Sequence, residues 1–262
     1  MKIVRAIAEV RESVPAQGVG LVPTMGALHA GHLALFEAAR GESAFVAASI
    51  FVNPPQFGPG EDYERYPRAE DADAKVAETA GVDLLFVPSA DEMYPAGYET
   101  WVEVERLGGV LEGAFRPGHF RAVATVCLKL FNIARAERAY FGQKDAQQVA
   151  VIKRMVRDLN VPVQIRVVPT VRDRDGLAVS SRNAYLSADE RRRALALPRA
   201  LAAGEAAYRA GQDAAAAART AMNGLEIDHV EAAELDGQLI LEAAVRVGRT
   251  RLIDNVVLEG ER

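Results

Sequence analysis

Val19-Gly20-Leu21-Val22-Pro23-Thr24-Met25-Gly26-Ala27-Leu28-His29-Ala30-Gly31-His32 carries a short apolar run into a glycine turn and two histidines. Leu33 to Arg40, which follows, is amphipathic. That order predicts a strand, a tight turn and a helix opening, with two imidazoles three residues apart at the opening. A helix N-terminus offers unpaired backbone N–H groups and a partial positive charge, so it attracts phosphate. Histidines placed there add donors to the same anion. Pro23 to His32 also fits a tight turn whose histidines are simply polar helix-start residues, and these residues alone leave both readings open.

Outward from this stretch the pattern repeats. Val4 to Gln17 reads as a helix before it, and the helix Gly31–Arg40 leads to a second apolar strand, Phe45 to Val52. That strand stops at Asn53-Pro54-Pro55-Gln56-Phe57-Gly58-Pro59-Gly60, whose prolines and glycines make a loop. A helical stretch, Asp71 to Ala80, and a third apolar run, Val82 to Val87, come next. Alternating helices and nearly continuous apolar strands imply a parallel sheet covered on both faces. Ligands of such sheets gather beyond the carboxyl ends of the strands, where the loops 23–32 and 53–60 both begin.

Farther along, Trp101 to Val104 reads as a short strand, and the Gly- and Pro-rich Glu112 to Arg121 as a surface loop, either a connector or a cationic lid. The helix Val123–Ala134 follows, then the strand Arg138–Phe141 ending in Gly142-Gln143-Lys144-Asp145, and the helix Ala146–Asn160. Asp145 and Gln148 have capping-box spacing. Lys144 opposes the helix dipole, and a bound anion would supply its reason for being there. Pro162 to Pro169 is the last strand of a domain expected to span residues 1–172. Residues 173–262 then form a smaller α+β domain of about ninety residues, a size at which a module folds by itself. In it, Asp189–Ala210 and Asp213–Met222 read as helices, and His229–Leu235, Ala243–Val247 and Arg251–Leu258 as strands. Arg191-Arg192-Arg193 reads as a solvated helix face. The expected class is therefore α/β, a Rossmann-like parallel-sheet domain with a smaller C-terminal α+β domain.

Composition narrows the function. At 262 residues with a net charge of −5, the chain has no large nucleic-acid footprint. Its longest apolar run, Phe45 to Val52, is too short to span a bilayer. The charged residues after Met1 leave no signal-peptide core, and the single Cys127 fits a reducing compartment, so a cytoplasmic protein is expected. Cys127 lies in an apolar stretch and reads as a buried, inert thiol.

Neither a Walker loop nor a Gly-x-Gly-x-x-Gly after a strand is present. With four histidines and no third ligand beside His29 and His32, a zinc site has little support. Ser180-Ser181-Arg182 offers hydroxyls and a forked cation suited to pyrophosphate, although the same residues suit an ordinary loop. Displacing pyrophosphate from ATP develops charge that cations and N–H donors stabilise, and a carboxylate nucleophile needs no general base.

Pro23 to His32 resembles the HIGH-type motif of the nucleotidyltransferase superfamily, in the form used by the pantothenate synthetase (pantoate–β-alanine ligase) family. The likeness continues through Ser49 to Phe57, Tyr66-Pro67-Arg68, Arg116 to Phe120, Tyr140 to Gln148, Asp175 to Asn183 and Thr250 to Asn255, in order along nearly the whole chain. It implies ATP-dependent condensation of (R)-pantoate with β-alanine through a pantoyl-adenylate, releasing AMP and pyrophosphate, with Mg2+ on the phosphates. It also implies a cytoplasmic homodimer whose C-terminal domain acts as a cover.

By position, the resemblance puts His29, His32, Lys144, Ser180, Ser181 and Arg182 in the chemistry, with His32 as the usual proton donor. Met25, Gly26, Ala27, Leu28, Ala30, Gly31, Gly142, Gln143, Asp145, Val171 and Val179 hold the nucleotide. Asn53, Gln56 and Gln148 face pantoate, with Gln56 also near β-alanine. The acidic residues near Asp71 and Asp73 fall in a region the family associates with divalent ions, but no protein metal ligand is assigned. Pro55, Gln143, Ala146 and Val179 depart from the commoner family spelling, and none removes an assigned charged or amide group. The competing expectations are another HIGH-motif nucleotidyltransferase, which would lack the Asn53, Gln56 and Gln148 amides, and a non-catalytic nucleotide-binding module.

Overall fold

Apolar strands that leave few polar side chains to satisfy need both faces covered, and the chain supplies helices between them. A computed structural model of the chain describes residues 1–259. In order it forms β1 (Lys2–Val4), α1 (Ile7–Ser13), β2 (Val19–Thr24), α2 (Ala30–Glu42), β3 (Phe45–Ile50), α3 (Glu70–Thr79) and β4 (Leu84–Phe86). The one-turn helices α4 (Ala90–Met93), α5 (Glu105–Gly108) and α6 (Glu112–Phe115) precede α7 (His119–Ala134), β5 (Arg138–Gly142), α8 (Ala146–Asp158) and β6 (Gln164–Val168). The remainder is α9 (Ala188–Ala194), α10 (Ala196–Arg209), α11 (Ala214–Ala221), β7 (Glu226–Leu235), β8 (Gln238–Val247) and β9 (Thr250–Glu259). Two compact units result: Met1–Gly142 with Val151–Val168, and Gln143–Ala150 with the chain from Pro169 onward.

The first unit holds a six-stranded parallel sheet in the order β1-β4-β3-β2-β5-β6. β2 pairs with β3 along its whole length, from Val19 opposite Phe45 to Thr24 opposite Ile50. On its other side it pairs with β5 only at Gly20 and Leu21. Beyond Leu21 the two strands part, and this is where the order of the sheet reverses direction, the place where α/β sheets receive ligands. Pro23 lies past the last pairing with β5, where a strand tolerates a residue without an N–H. Val22, Phe36, Val46, Leu85 and Tyr140 form part of the buried cluster behind β2. At Gly20 a Cβ would lie 2.8 Å from Ser43 Cβ and 3.1 Å from Tyr140, so only glycine fits that approach.

The second unit contains the antiparallel sheet β7-β8-β9, with α10 and α11 packed on it through Leu197, Leu201, Ala218, Met222, Leu241 and Val245. Asp236 and Gly237 both have positive φ, 51° and 80°, as the two-residue turn joining β7 to β8 requires. Among the described residues no helix is long and apolar enough to cross a membrane. Cys127 is buried in α7, and burial pushes its thiol up to about 12, which keeps it protonated and unreactive.

Several local expectations change. Lys2–Val4 is a strand, because pairing with β4 outweighs helical periodicity there, and α1 is correspondingly short. Trp101–Val104 is not a strand: the Val102 N–H donates to Thr125 Oγ1 at 3.0 Å, and Trp101 stacks on Tyr94 at 5.8 Å. Glu112–Arg121 is not a surface loop, since it supplies α6 and the first turn of α7, with His119 and Phe120 buried. Asp189–Ala210 divides at Leu195, where Pro198 has no N–H to donate to the turn before it. Arg192 and Arg193 are exposed, as a solvated helix face requires, and the half-buried Arg191 beside them also bonds Asp173 Oδ2 at 2.7 Å and Asp175 Oδ2 at 2.9 Å.

Candidate active site

β2 ends in Thr24, whose hydroxyl donates to the Ser49 carbonyl at 2.6 Å and accepts the Gly26 N–H at 3.1 Å. The chain then turns through positive φ at Gly26 (82°) and Ala27 (51°). Glycine suits the first, since a Cβ there would lie 2.9 Å from Asp73 Oδ2 and 3.0 Å from Ile50 Cγ2. The next two N–H groups, of Ala27 and Leu28, donate to the two oxygens of Asp73, each at 2.8 Å. His29 is the N-cap of α2. Its Nδ1 accepts the Gly31 N–H at 3.1 Å, and His32 Nδ1 accepts the His29 N–H at 3.2 Å. The backbone amides of 26, 27, 28, 29 and 31 are therefore engaged inside the protein, and the expected ring of unpaired helix-start N–H groups is largely filled.

The imidazoles inherit the donor role. A backbone N–H pointing at Nδ1 requires a lone pair there, so in the neutral ring the proton sits on Nε2 in both His29 and His32. Their ring centroids are 4.1 Å apart. Ala30 and Gly31 form the first turn of α2 behind them, and a Cβ at Gly31 would lie 2.9 Å from the His29 ring, which would have to shift.

Beyond β3, Pro54 and Pro55 start a 3-10 turn that ends at Gln56, positions where a missing N–H costs nothing. Here a polar chain runs through buried side chains. The Tyr94 hydroxyl donates to Asn53 Oδ1 at 2.8 Å, and Asn53 Nδ2 donates to Gln56 Oε1 at 3.1 Å. Gln56 Nε2 then points at Met25 Sδ, 2.8 Å away. Asn53 and Gln56 are 1% and 8% exposed, so these bonds fix which end of each amide faces which way. Burial raises the Tyr94 phenol, which keeps it a donor.

His119 holds the backbone of the same turn. Arg116 Nη1 lies 3.0 Å from His119 Nε2, and a guanidinium only donates, so Nε2 accepts and Nδ1 carries the proton to the Gln56 carbonyl at 2.8 Å. Arg116 is itself paired to Glu61 at 2.7 Å. Burial, and then the Arg116 charge, lower His119 to about 4. The unfolded chain takes up a proton near pH 6.5 that the folded one refuses until about 4, so stability falls as pH drops between those values. Between pH 7 and pH 5 this group is expected to remove about 2 kcal/mol. Urea unfolding of wild type and His119→Asn at both pH values checks it, and an equal slope in the two proteins would assign the acid sensitivity elsewhere.

In the second unit, Gln143–Asp145 is a 3-10 turn that follows Gly142 and leads into α8. Asn255 of β9 donates through Nδ2 to the carbonyls of Gln143 at 2.9 Å and Lys144 at 2.8 Å. Lys144 Nζ is 3.2 Å from Asp145 Oδ1, and Gln148 follows, half-buried, in α8. Val171 and Val179 face each other across a small hairpin, Val179 N–H donating to the Val171 carbonyl at 2.9 Å. Arg172 in that hairpin forks onto the buried Asp254 at 2.6 and 3.0 Å. Ser180 caps the 3-10 turn Ser181–Tyr185, its Oγ accepting the Arg182 N–H at 3.3 Å. Adjacent residues of β9 thus tether both the Lys144 turn and the Val171–Val179 hairpin. Sequence reasoning assigned no role to Asp254 and Asn255, to Tyr94 and His119, or to Asp73 in its bond to the Ala27–Leu28 turn, since each acts on residues remote in the chain.

The parallel sheet and the histidine-capped turn at its reversal point define a Rossmann-like α/β enzyme. The family model described as pantoate-beta-alanine ligase matches residues 2–257. Pantothenate synthetase of Moorella thermoacetica is 54% identical over 280 residues, covering 99% of each chain. The crystal structure of pantothenate synthetase from Thermus thermophilus is 47% identical with a TM-score of 0.96, covering 99% of this chain and 100% of that one. That of pantoate-beta-alanine ligase from Francisella tularensis, complexed with beta-gamma ATP and beta-alanine, is 34% identical with a TM-score of 0.84, covering 100% and 99%. The chain belongs to the pantoate–beta-alanine ligase family, and it is a ligase of pantothenate biosynthesis.

Proposed function

We propose that the enzyme makes pantothenate in two steps, adenylating (R)-pantoate with ATP and then passing the pantoyl group to β-alanine. In the first, a pantoate carboxylate oxygen attacks the α-phosphorus of ATP, the bond to the bridging oxygen of the β-phosphate breaks, and pyrophosphate leaves. No general base is needed, because the nucleophile is already an anion. In the second, the neutral amine of β-alanine attacks the acyl carbon, AMP departs, and the amide nitrogen loses a proton. ATP enters with Mg2+, which favours phosphate oxygens and water, so no protein ligand is assigned to it.

The observation that carries this reading is the pair of imidazoles whose Nδ1 atoms accept backbone N–H groups at the start of α2, which puts the proton of each neutral ring on Nε2, a donor type suited to phosphoryl oxygens. His29 and His32 take the phosphate charge, joined in this role by Lys144, Ser180, Ser181 and Arg182. Met25 to Leu28, Ala30, Gly31, Gly142, Gln143, Asp145, Val171 and Val179 line the nucleotide, with Asp145 on the ribose. Asn53, Gln56 and Gln148 hold pantoate by its hydroxyl and carboxylate oxygens. The ordered Tyr94–Asn53–Gln56 chain supports that role, since pre-set amides lose little freedom on binding. The Francisella tularensis relative, complexed with beta-gamma ATP and beta-alanine, supports the same substrates here. In this proposal residues 1–172 bind ATP and pantoate, residues 173–262 are the cover domain, and the protein works as a cytoplasmic homodimer.

Labelled pyrophosphate is expected to exchange into ATP when pantoate is present and β-alanine absent. Folded protein that shows no such exchange would refute the acyl-adenylate route.

A further inference from the structure

We propose that Asp73 is a positioning residue of the nucleotide site, which fixes the turn carrying His29 through two backbone hydrogen bonds and does not ligate a divalent ion. This rests on the ATP reading of that turn. Asp73 sits in the first turn of α3, a helix separate from β2 and α2, and is 4% exposed. Its Oδ2 accepts from Ala27 and its Oδ1 from Leu28, both at 2.8 Å, so one carboxylate grips two successive amides. Ala27 has a φ of 51°, uncommon for a residue with a side chain, and such a conformation persists where its surroundings fix it. Leu28 is followed at once by His29, so the grip sets the approach of the chain to the N-cap and thereby the aim of both rings.

The same contacts argue against metal ligation. Both oxygens face backbone N–H groups, whose positive ends oppose a cation. Mg2+ also sheds its water reluctantly, which suits phosphate oxygens better than a buried carboxylate already holding two donors. An asparagine in this place keeps one acceptor and turns an NH2 group toward the other N–H, so it is isosteric but breaks the grip.

Three measurements test this. In the wild-type protein, hydrogen exchange followed by NMR should find the Ala27 and Leu28 amides slow, and fast exchange at both would overturn the proposal without any variant. Asp73→Asn should speed exchange there and raise the KM for ATP at least tenfold in pyrophosphate exchange, with the KM for pantoate within twofold of wild type. The Mg2+ concentration giving half-maximal rate should not move, and excess Mg2+ should not restore the variant. An unchanged KM for ATP, or rescue by Mg2+, would overturn the positioning role. Absence of pyrophosphate exchange in the wild type would refute the ATP reading instead, and the amide exchange rates would still decide whether Asp73 holds the turn.

Discussion

Lys144→Ala is expected to slow pantoate-dependent pyrophosphate exchange roughly 10²- to 10³-fold, about the effect of deleting one donor to a developing anion. The lysine stands in the turn that opens α8, where a cation is opposed by the helix dipole and adds nothing to helix stability. Its side-chain partner, Asp145, is 43% exposed, and pairs of that kind contribute less than about 1 kcal/mol. The backbone of the turn is held separately, by Asn255 on the carbonyls of Gln143 and Lys144. Removing the side chain should therefore leave the thermal midpoint nearly unchanged while the rate collapses. Single-turnover measurements of adenylate formation check this, and near-wild-type turnover would place the ammonium outside the chemistry.

Arg172→Ala should act in the opposite way, through stability. Asp254 is 1% exposed and takes both arms of the Arg172 guanidinium, with the Asn255 N–H at 2.8 Å as its other donor. Deleting the arginine leaves a buried carboxylate with a single donor, and breaking such a pair from one side costs about 3 kcal/mol. Urea unfolding should show that loss. The double variant Arg172→Ala with Asp254→Ala should lose less than the sum of the two single changes, because the stranded charge is then absent. A single-variant change under about 0.5 kcal/mol, the range of ordinary surface substitutions, would show that the pair is peripheral. The same bond holds the hairpin that bears Val171 and Val179, so weaker ATP binding should accompany the loss.

How much of this is legible in the chain differs element by element. Phe45–Ile50 and Arg138–Gly142 follow directly from β-branched and aromatic runs with breakers after them, and α2 from its amphipathic spacing. Trp101–Val104 misleads because the alternation Trp-Val-Glu-Val suits a strand but says nothing of a strand partner; here Trp101 packs on Tyr94 and Tyr98, and the Val102 N–H goes to a side chain. The apolar run alone starts β8 at Ala243, though Asp236-Gly237 already marks a two-residue hairpin turn that places its start at Gln238.

The sequence by itself determined the alternation of strands and helices, the glycine turn with its two histidines, the loop that carries Asn53 and Gln56, and the family likeness. These are local properties, written in spacing and residue type over stretches of about ten residues. Tertiary structure alone decided that the helix-start amides are filled from within, by Asp73 and by the imidazoles' own Nδ1 atoms, which hands the donor role to Nε2. It alone tied Tyr94 to Asn53, His119 to Gln56, and Asp254 to Arg172. Those partners are 41, 63 and 82 residues apart, and a hydrogen bond across such a span leaves no periodicity in the chain, because it exists only once the backbone has folded the two groups together.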